Sequence, residues 1–284
     1  MIAITAATGH LGQLVIDQLL EKIPASQIVA VVRNPAKAAA LASRGIAVRA
    51  ADYDDDASAF ARAFSGVEKL LLISGMDIGR RVAQHTNIIQ GAKLAGVRLV
   101  VFTSLLHADR SLINLAPEYI GTENALKQSA LPHIVLRNGW YHENYTANIP
   151  GALANNAFVG SAGEGRISSA ARADYAAAAV AALTGHAETG KTYELAGDAS
   201  YTLAEFAAEL SRNTGRSIPY VNLPEPEYAG ILLKAGLPPP LAHGLASWDA
   251  AAAKGTLFDD GRALSRLIGR PTTPLADTIR AALR

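Results

Sequence analysis

Apolar residues along the chain come in short unbroken runs that alternate with helical stripes. Ile2 to Ala7, IAITAA, is such a run, and LGQLVIDQLL after it places Leu11, Leu14, Val15 and Leu19 on one helical face. Gln27 to Arg33, QIVAVVR, is β-branched and apolar throughout, the pattern of a strand covered on both faces. Asn34 then caps a helix whose first position is Pro35. The rhythm repeats in IAVRAAD (46–52), KLLLIS (69–74), RLVVFTS (98–104) and HIVLRNG (133–139), each set apart by a helical segment. Six strands with helical crossovers predict an α/β fold built on a doubly wound, mostly parallel sheet. Ligands of such sheets bind outside the carboxyl ends of the strands, where the strand order reverses.

After Asn138 the rhythm loosens. A Gly-rich stretch, VGSAGEGRISS (159–169), leads to an Ala-rich helix from near Ala173, a strand in KTYELAG, and a helix opened by Thr202 with Glu205 three residues on, a capping box. The proline-rich LPEPEY and GLPPPL bound short helices near the C-terminus. The expected organisation is a nucleotide-binding domain over 1–150 and, over 151–284, mainly a smaller α/β substrate lobe with some segments returning to the first domain. The alternative for that lobe is a purely structural cap.

Composition narrows the partners. A chain of 284 residues suffices for one large domain with a smaller lobe. Lys plus Arg (26) nearly balances Asp plus Glu (25) with no basic block, so neither nucleic acid nor an anionic membrane is an expected partner. No cysteine is present, which excludes disulfides, thiolate catalysis and cysteine metal sites and agrees with a cytoplasmic location. The opening MIAITAATG lacks a basic leader, and no apolar run approaches the roughly 18 residues of a membrane span. The histidines show no metal-ligand spacing, so no metal is expected, and His10, His107 and His142 read as surface or packing residues.

The chemistry begins at Thr5, where TAATGHLG joins the first strand to the first helix. Gly9 and Gly12 occupy the second and third positions of a G-x-x-G-x-x-G turn, where backbone must approach a pyrophosphate and the helix must lie close to its strand. Backbone N–H groups and the positive helix end would face the phosphates, so Ala7, Thr8, Gly9, His10, Leu11 and Gly12 are candidate cofactor residues. Ala6 replaces the opening glycine, at small cost unless the position requires a positive φ. At the end of the second strand stands Arg33, with Lys37 one turn on and no acid, a charge suited to the 2′-phosphate of NADP. Its alternative is a cap on a solvated edge.

MIAITAATGHLG, PASQIVAVVRNPAKA, GVEKLLLISG, FTSLLHAD, LRNGWYHENY, RADYAAA, YELAGD, AAAKGTLFDD and SRLIGRPTT together resemble the NmrA-like group of atypical short-chain dehydrogenases/reductases. The likeness runs essentially end to end. It implies a Rossmann domain, a small C-terminal lobe, NADP(H) as cofactor and a quinone acceptor between the lobes. Asn138 to Glu143 would lie along the nicotinamide and its ribose, with Tyr141 and Asn144 available to the substrate. Ile73, Ser74 and Gly75 after the fourth strand and Thr103 and Ser104 after the fifth would pass beneath the cofactor, and Arg172 resembles a cofactor contact, with a surface ion pair as its alternative. The family's TGATG stands here as Thr5-Ala6-Ala7-Thr8-Gly9, and its small or amide residues as His10 and His142.

Tyr119 is followed four residues later by Glu123 rather than lysine, so no Tyr-x-x-x-Lys pair relays a proton, and Tyr119 reads as structural. A quinone takes hydride readily, so positioning is what the reaction asks for. Trp140 and Tyr141 have the alternative role of core aromatics tying the lobes together. Two functions share these features: hydride transfer from NADPH to a quinone, and an NmrA-type redox sensor that holds NADP(H) without turnover. A homodimer is the oligomer considered.

Overall fold

A computed structural model describes all 284 residues. β1 (Ile2–Ile4) leads to α1 (His10–Leu20), β2 (Ile28–Val32) to α2 (Ala39–Ala42), β3 (Ala47–Ala50) to α3 (Ala57–Ala63) and β4 (Lys69–Leu72) to α4 (Arg81–Leu94). β5 (Leu99–Leu105) leads to α5 (Ala116–Ser129), and β6 (His133–Asn138) to α6 (His142–Thr146) and α7 (Ile149–Asn155). Then come β7 (Phe158–Gly160), α8 (Arg172–Leu183), β8 (Thr192–Leu195), α9 (Leu203–Thr214), β9 (Tyr220–Asn222), α10 (Glu225–Lys234), α11 (Pro239–Ala252), α12 (Ala263–Ile268) and α13 (Leu275–Ala282).

The six expected strands form one sheet in the order β3-β2-β1-β4-β5-β6, with every neighbouring pair parallel. The order reverses between β1 and β4, which opens the crevice at their carboxyl ends. Both faces are covered, and β2 is buried at all five positions, as its unbroken apolar run requires. One face packs on α1, α2, α8 and α12; the other packs on α3, α4 and α5. Asn34 does cap its helix, accepting the Ala36 N–H at 3.0 Å. That helix is a 3-10 turn over Pro35–Ala38 passing into the four residues of α2.

Residues beyond 150 divide between two places. KTYELAG supplies β8, which joins the main sheet beside β6 in register Val135↔Thr192 to Asn138↔Leu195. β7 and β9 make a separate parallel pair, with a second core around Tyr145, Phe158, Tyr201, Phe206 and Leu210. The Thr202–Glu205 capping box is present, both bonds formed, at 3.1 and 2.9 Å. SRLIGRPTT acts as a strap. Thr273 N–H and Arg270 both reach the buried Asp174 carboxylate on α8 at 2.7 Å, and Thr272 exchanges bonds with Asp198 at 2.9 Å each.

Asp249 on α11 is a buried carboxyl whose hydrogen bonds come from uncharged donors, the Ser161 N–H at 3.1 Å and the Tyr145 hydroxyl at 3.4 Å. Burial pushes its pKa up to about 6. The folded state therefore holds this proton more tightly than the unfolded chain, and stability falls as pH rises through the window up to about 6. Asp249→Asn keeps an acceptor and loses the charge. It is expected to unfold later than wild type at pH 7.5, by on the order of 2 kcal/mol, with the difference vanishing near pH 4. Thermal melts of both proteins across that range check it; a pH-independent difference would show that Asp249 ionises normally.

Candidate active site

The turn after β1 is built on one close approach. A Cβ at Gly12 would meet Ala6 O at 2.6 Å and Ala7 Cα at 2.8 Å, so only glycine lets α1 sit this close to the strand. Gly9 closes the turn with its N–H on Ala6 O at 2.9 Å and stands at the N-cap of α1 in extended conformation. No side chain caps that first turn and no acid lies in it, so its N–H groups and positive end remain open to an anion. Ala7 and Leu11 are buried in the core, so they offer backbone only, while Gly9 and His10 are exposed and Thr8 is half-buried.

Ala6 corrects the expectation that its methyl costs little. Its φ is +48°, in the left-handed region where a Cβ is strained. The turn needs that conformation to bring Ala6 O onto Gly9 N–H beneath Gly12. A second correction concerns Arg33. The tip of β2 carries no acid of its own, yet Asp52 from the end of β3 lies 3.8 Å from Arg33 Nε. The arginine side chain remains 79% exposed.

The pleat sorts the remaining candidates. On β5 and β6, Val101 and Leu136 face the α1 side while Phe102 and Val135 face the α5 side, so Thr103 and Asn138 go with the former and Ser104 and Arg137 with the latter, which corrects the expectation that Ser104 lies beneath the cofactor. Thr103 Oγ1 accepts the Ser74 N–H at 3.0 Å. Ser74 Oγ and Asn138 Oδ1 are buried polar atoms without a partner, which the native interior rarely tolerates without a ligand or water. Ile73 lies in the core, and its carbonyl accepts the Tyr53 hydroxyl at 2.5 Å. Tyr53 also reaches Thr5 Oγ1 at 2.7 Å, linking the first turn to the end of β4. Nothing in the local pattern around Tyr53 marked it for this place.

Past β6, Gly139 admits no side chain, since a Cβ would meet Tyr175 Oη at 2.9 Å and Leu195 O at 3.0 Å. The chain then pairs Tyr141 with Ala170 and turns into α6. The Tyr141 ring packs 5.1 Å from Tyr175, and the Arg172 guanidinium lies 4.8 Å over it. Burial pushes the Tyr141 pKa up to about 12, so it stays a neutral phenol. Both Glu143 oxygens accept the Arg172 backbone N–H at 3.0 Å, binding α6 to the start of α8. Asn144 is half-buried on α6. Trp140 packs edge-on against Trp248, 5.7 Å away, in the second core, while Tyr141 packs on the first. His142 is buried against Thr278, with Nδ1 3.0 Å from Oγ1, and burial pulls its pKa down to about 4.

The glutamate that replaces a lysine after Tyr119 is committed elsewhere. Glu123 takes two bonds from Arg137 at 2.8 and 2.9 Å and one from Ser104 at 2.7 Å, all on the α5 side.

The reversal point, the uncapped helix end and the orphaned polar atoms beside it define a dinucleotide-binding protein of Rossmann type. Residues 6–186 match the family model described as NAD(P)H-binding. Over 279 residues the chain is 54% identical to quinone oxidoreductase 2 of Escherichia coli K12, spanning 98% of this chain and 97% of that one. The crystal structure of the NADPH-dependent quinone oxidoreductase from Escherichia coli complexed with NADPH matches at a TM-score of 0.97, 53% identity and full coverage of both chains. Citrobacter sp. triphenylmethane reductase complexed with NADP(H) matches at a TM-score of 0.95 and 37% identity, over 99% of this chain and 100% of that one. The chain belongs to the NAD(P)H-binding family.

Replacing Ala6 by glycine is expected to raise stability by about 1 kcal/mol, or a melting shift of about 2 °C, and to leave NADPH affinity unchanged or modestly better. Calorimetry and a cofactor titration measure both. A large loss of binding would show that the methyl group itself is needed.

Proposed function

We propose that the chain is an NADPH-dependent oxidoreductase that reduces quinones by direct hydride transfer. The observation that carries this reading is the end-to-end match to quinone oxidoreductase 2. That match favours turnover over a sensor that only holds the cofactor. When bound, NADPH supplies a hydride that, with one proton from solvent, converts a quinone to its hydroquinone and leaves NADP⁺.

The protein's own part is placement. The turn from Ala7 to Gly12 gives backbone donors and the positive end of α1 to the pyrophosphate. Arg33, with Lys37 nearby, meets the 2′-phosphate, and Asp52 lies 3.8 Å from its Nε. Ile73, Ser74, Gly75, Thr103 and Asn138 form the floor, and the unpartnered Ser74 Oγ and Asn138 Oδ1 fit a ligand rich in hydroxyl and amide groups. Tyr141 is the wall that orients the acceptor ring, stiffened by Tyr175 and Arg172, and Asn144 lies beside it. Glu143 and Arg172 sustain that wall by joining α6 to α8 next to the cofactor. A neutral Tyr141 can donate a hydrogen bond to a quinone oxygen without itself ionising. A cytoplasmic setting, compatible with a cysteine-free chain, and a homodimer belong to the same proposal.

Purified protein stripped of cofactor and treated with chelator is expected to oxidise NADPH once a benzoquinone is added; activity that appears only with added flavin or metal would overturn direct transfer. Arg33→Asp is expected to weaken NADPH at least tenfold, about 1.4 kcal/mol, while sparing NADH. Parallel titrations decide this, and an unchanged preference would remove Arg33 from the site. Tyr141→Phe is expected to lower turnover only a few-fold, and Tyr141→Ala by more than about tenfold through loss of the wall. Equal losses in the two variants would instead make the hydroxyl the essential part.

A further inference from the structure

The segment between β4 and α4 is a short exposed connection, yet its backbone is gripped by buried side chains. Gly75 N–H donates to His85 Nε2 at 3.0 Å, and Gly75 O accepts from Arg81 Nε at 2.9 Å. Arg81 and His85 are four residues apart and so share one face of α4. The Arg81 side chain is only 3% exposed; its NH1 donates to Glu118 Oε2 at 2.7 Å and its guanidinium lies 4.8 Å over the Tyr119 ring. The other Glu118 oxygen accepts the Gly79 N–H at 2.7 Å, so both ends of the segment are anchored to the first turn of α5.

The state of His85 follows from its neighbours. The Thr122 hydroxyl donates to Glu118 O at 3.0 Å, so Thr122 Oγ1 accepts from His85 Nδ1 at 2.9 Å. Nδ1 then carries the proton and Nε2 is free to accept from Gly75. Burial and the Arg81 charge pull the His85 pKa down to about 3, which keeps the ring neutral. Gly75 lies against the Tyr53 ring with no room for a side chain, since an added Cβ would stand 2.8 Å from it. One residue earlier, the Ser74 N–H is held by Thr103 while its buried hydroxyl has no partner.

We propose that Arg81 and His85 are positioning residues for NADPH: from one face of α4 they clamp both peptide groups of Gly75, so that the Ser74–Gly75 turn is a rigid seat for the cofactor. Neither side chain needs to touch the cofactor. This rests on the NADPH reading above, and direct binding separates the two, because it can be read without any quinone.

The test is titration of NADPH by its own fluorescence, alongside steady-state kinetics, for His85→Leu, His85→Gln and Arg81→Lys. Glutamine offers an acceptor where Nε2 stood; leucine fills the space without one. His85→Leu is expected to raise the NADPH Kd about tenfold, equivalent to about 1.4 kcal/mol, while His85→Gln stays within about threefold of wild type. Arg81→Lys, which replaces the separate Nε and NH1 donors to Gly75 O and Glu118 with a single nitrogen, is expected to raise Kd by at least about fivefold. KM for NADPH should rise in step, with kcat at saturating NADPH and KM for the quinone within about twofold of wild type. An unchanged Kd in folded His85→Leu or Arg81→Lys, glutamine no better than leucine, or a fall in kcat alone would overturn the clamp. If His85→Leu fails to fold, Arg81→Lys and His85→Gln decide it by the same Kd criteria.

Discussion

The contact between Gly12 and the turn that opens the chain is the constraint on which the rest of the site depends. With Gly12 pressed on Ala6 O and Ala7 Cα, α1 begins directly above the end of β1, and its open N–H groups point into the gap where the strand order reverses. Any side chain at Gly12 would push the helix outward and take that positive end away from the crevice. The same closeness forces Ala6 into the left-handed region, so the turn stores strain at one residue to gain a helix end at the right distance.

The sheet then separates two kinds of polar chemistry by its pleat. Thr103 and Asn138 face the α1 side, where Thr103 accepts the Ser74 N–H and Asn138 Oδ1 has no internal partner. Ser104 and Arg137 face the other way, into a network with Glu123, Glu194 and Asp109. Glu123 is 2% exposed, and its two bonds with Arg137 offset the cost of taking both charges out of water. A glutamate four residues after Tyr119 is thus part of what fastens α5 to β5 and β6, and it leaves Tyr119 packed under Arg81 rather than paired with a lysine.

The C-terminal half is divided by the same logic. β8 and α8 return to the main sheet because their apolar faces complete its edge and its α1 side, whereas β7, β9 and the helices around them close a separate core. Asp174 gathers Thr273 and Arg270 from the far end of the chain, so the strap after α12 also secures the helix whose first residue, Arg172, lies over Tyr141. The Tyr141 ring is therefore held from α6, α8 and the C-terminal strap together.

The sequence by itself determined the parts whose causes are local. Strand and helix periods, the Thr202 capping box, the Asn34 cap and the glycine spacing of the first turn depend on residues a few positions apart, and each is found where the pattern placed it. The α/β architecture followed from those parts, because parallel strands joined by helical crossovers have few arrangements. Tertiary structure alone decided what depends on residues distant in sequence. Ala6 could be called strained only once Gly9 and Gly12 closed around it. Asp52 came beside Arg33 through the pairing of β2 with β3, and Tyr53 reached Thr5 across 48 positions. His85 and Arg81, unremarkable in a polar helix, gained their grip on Gly75 because the fold buried one face of α4 against the end of β4. Local patterns carry backbone preference and amphipathicity, whereas burial, partner choice and charge state arise only when the sheet brings remote side chains into contact.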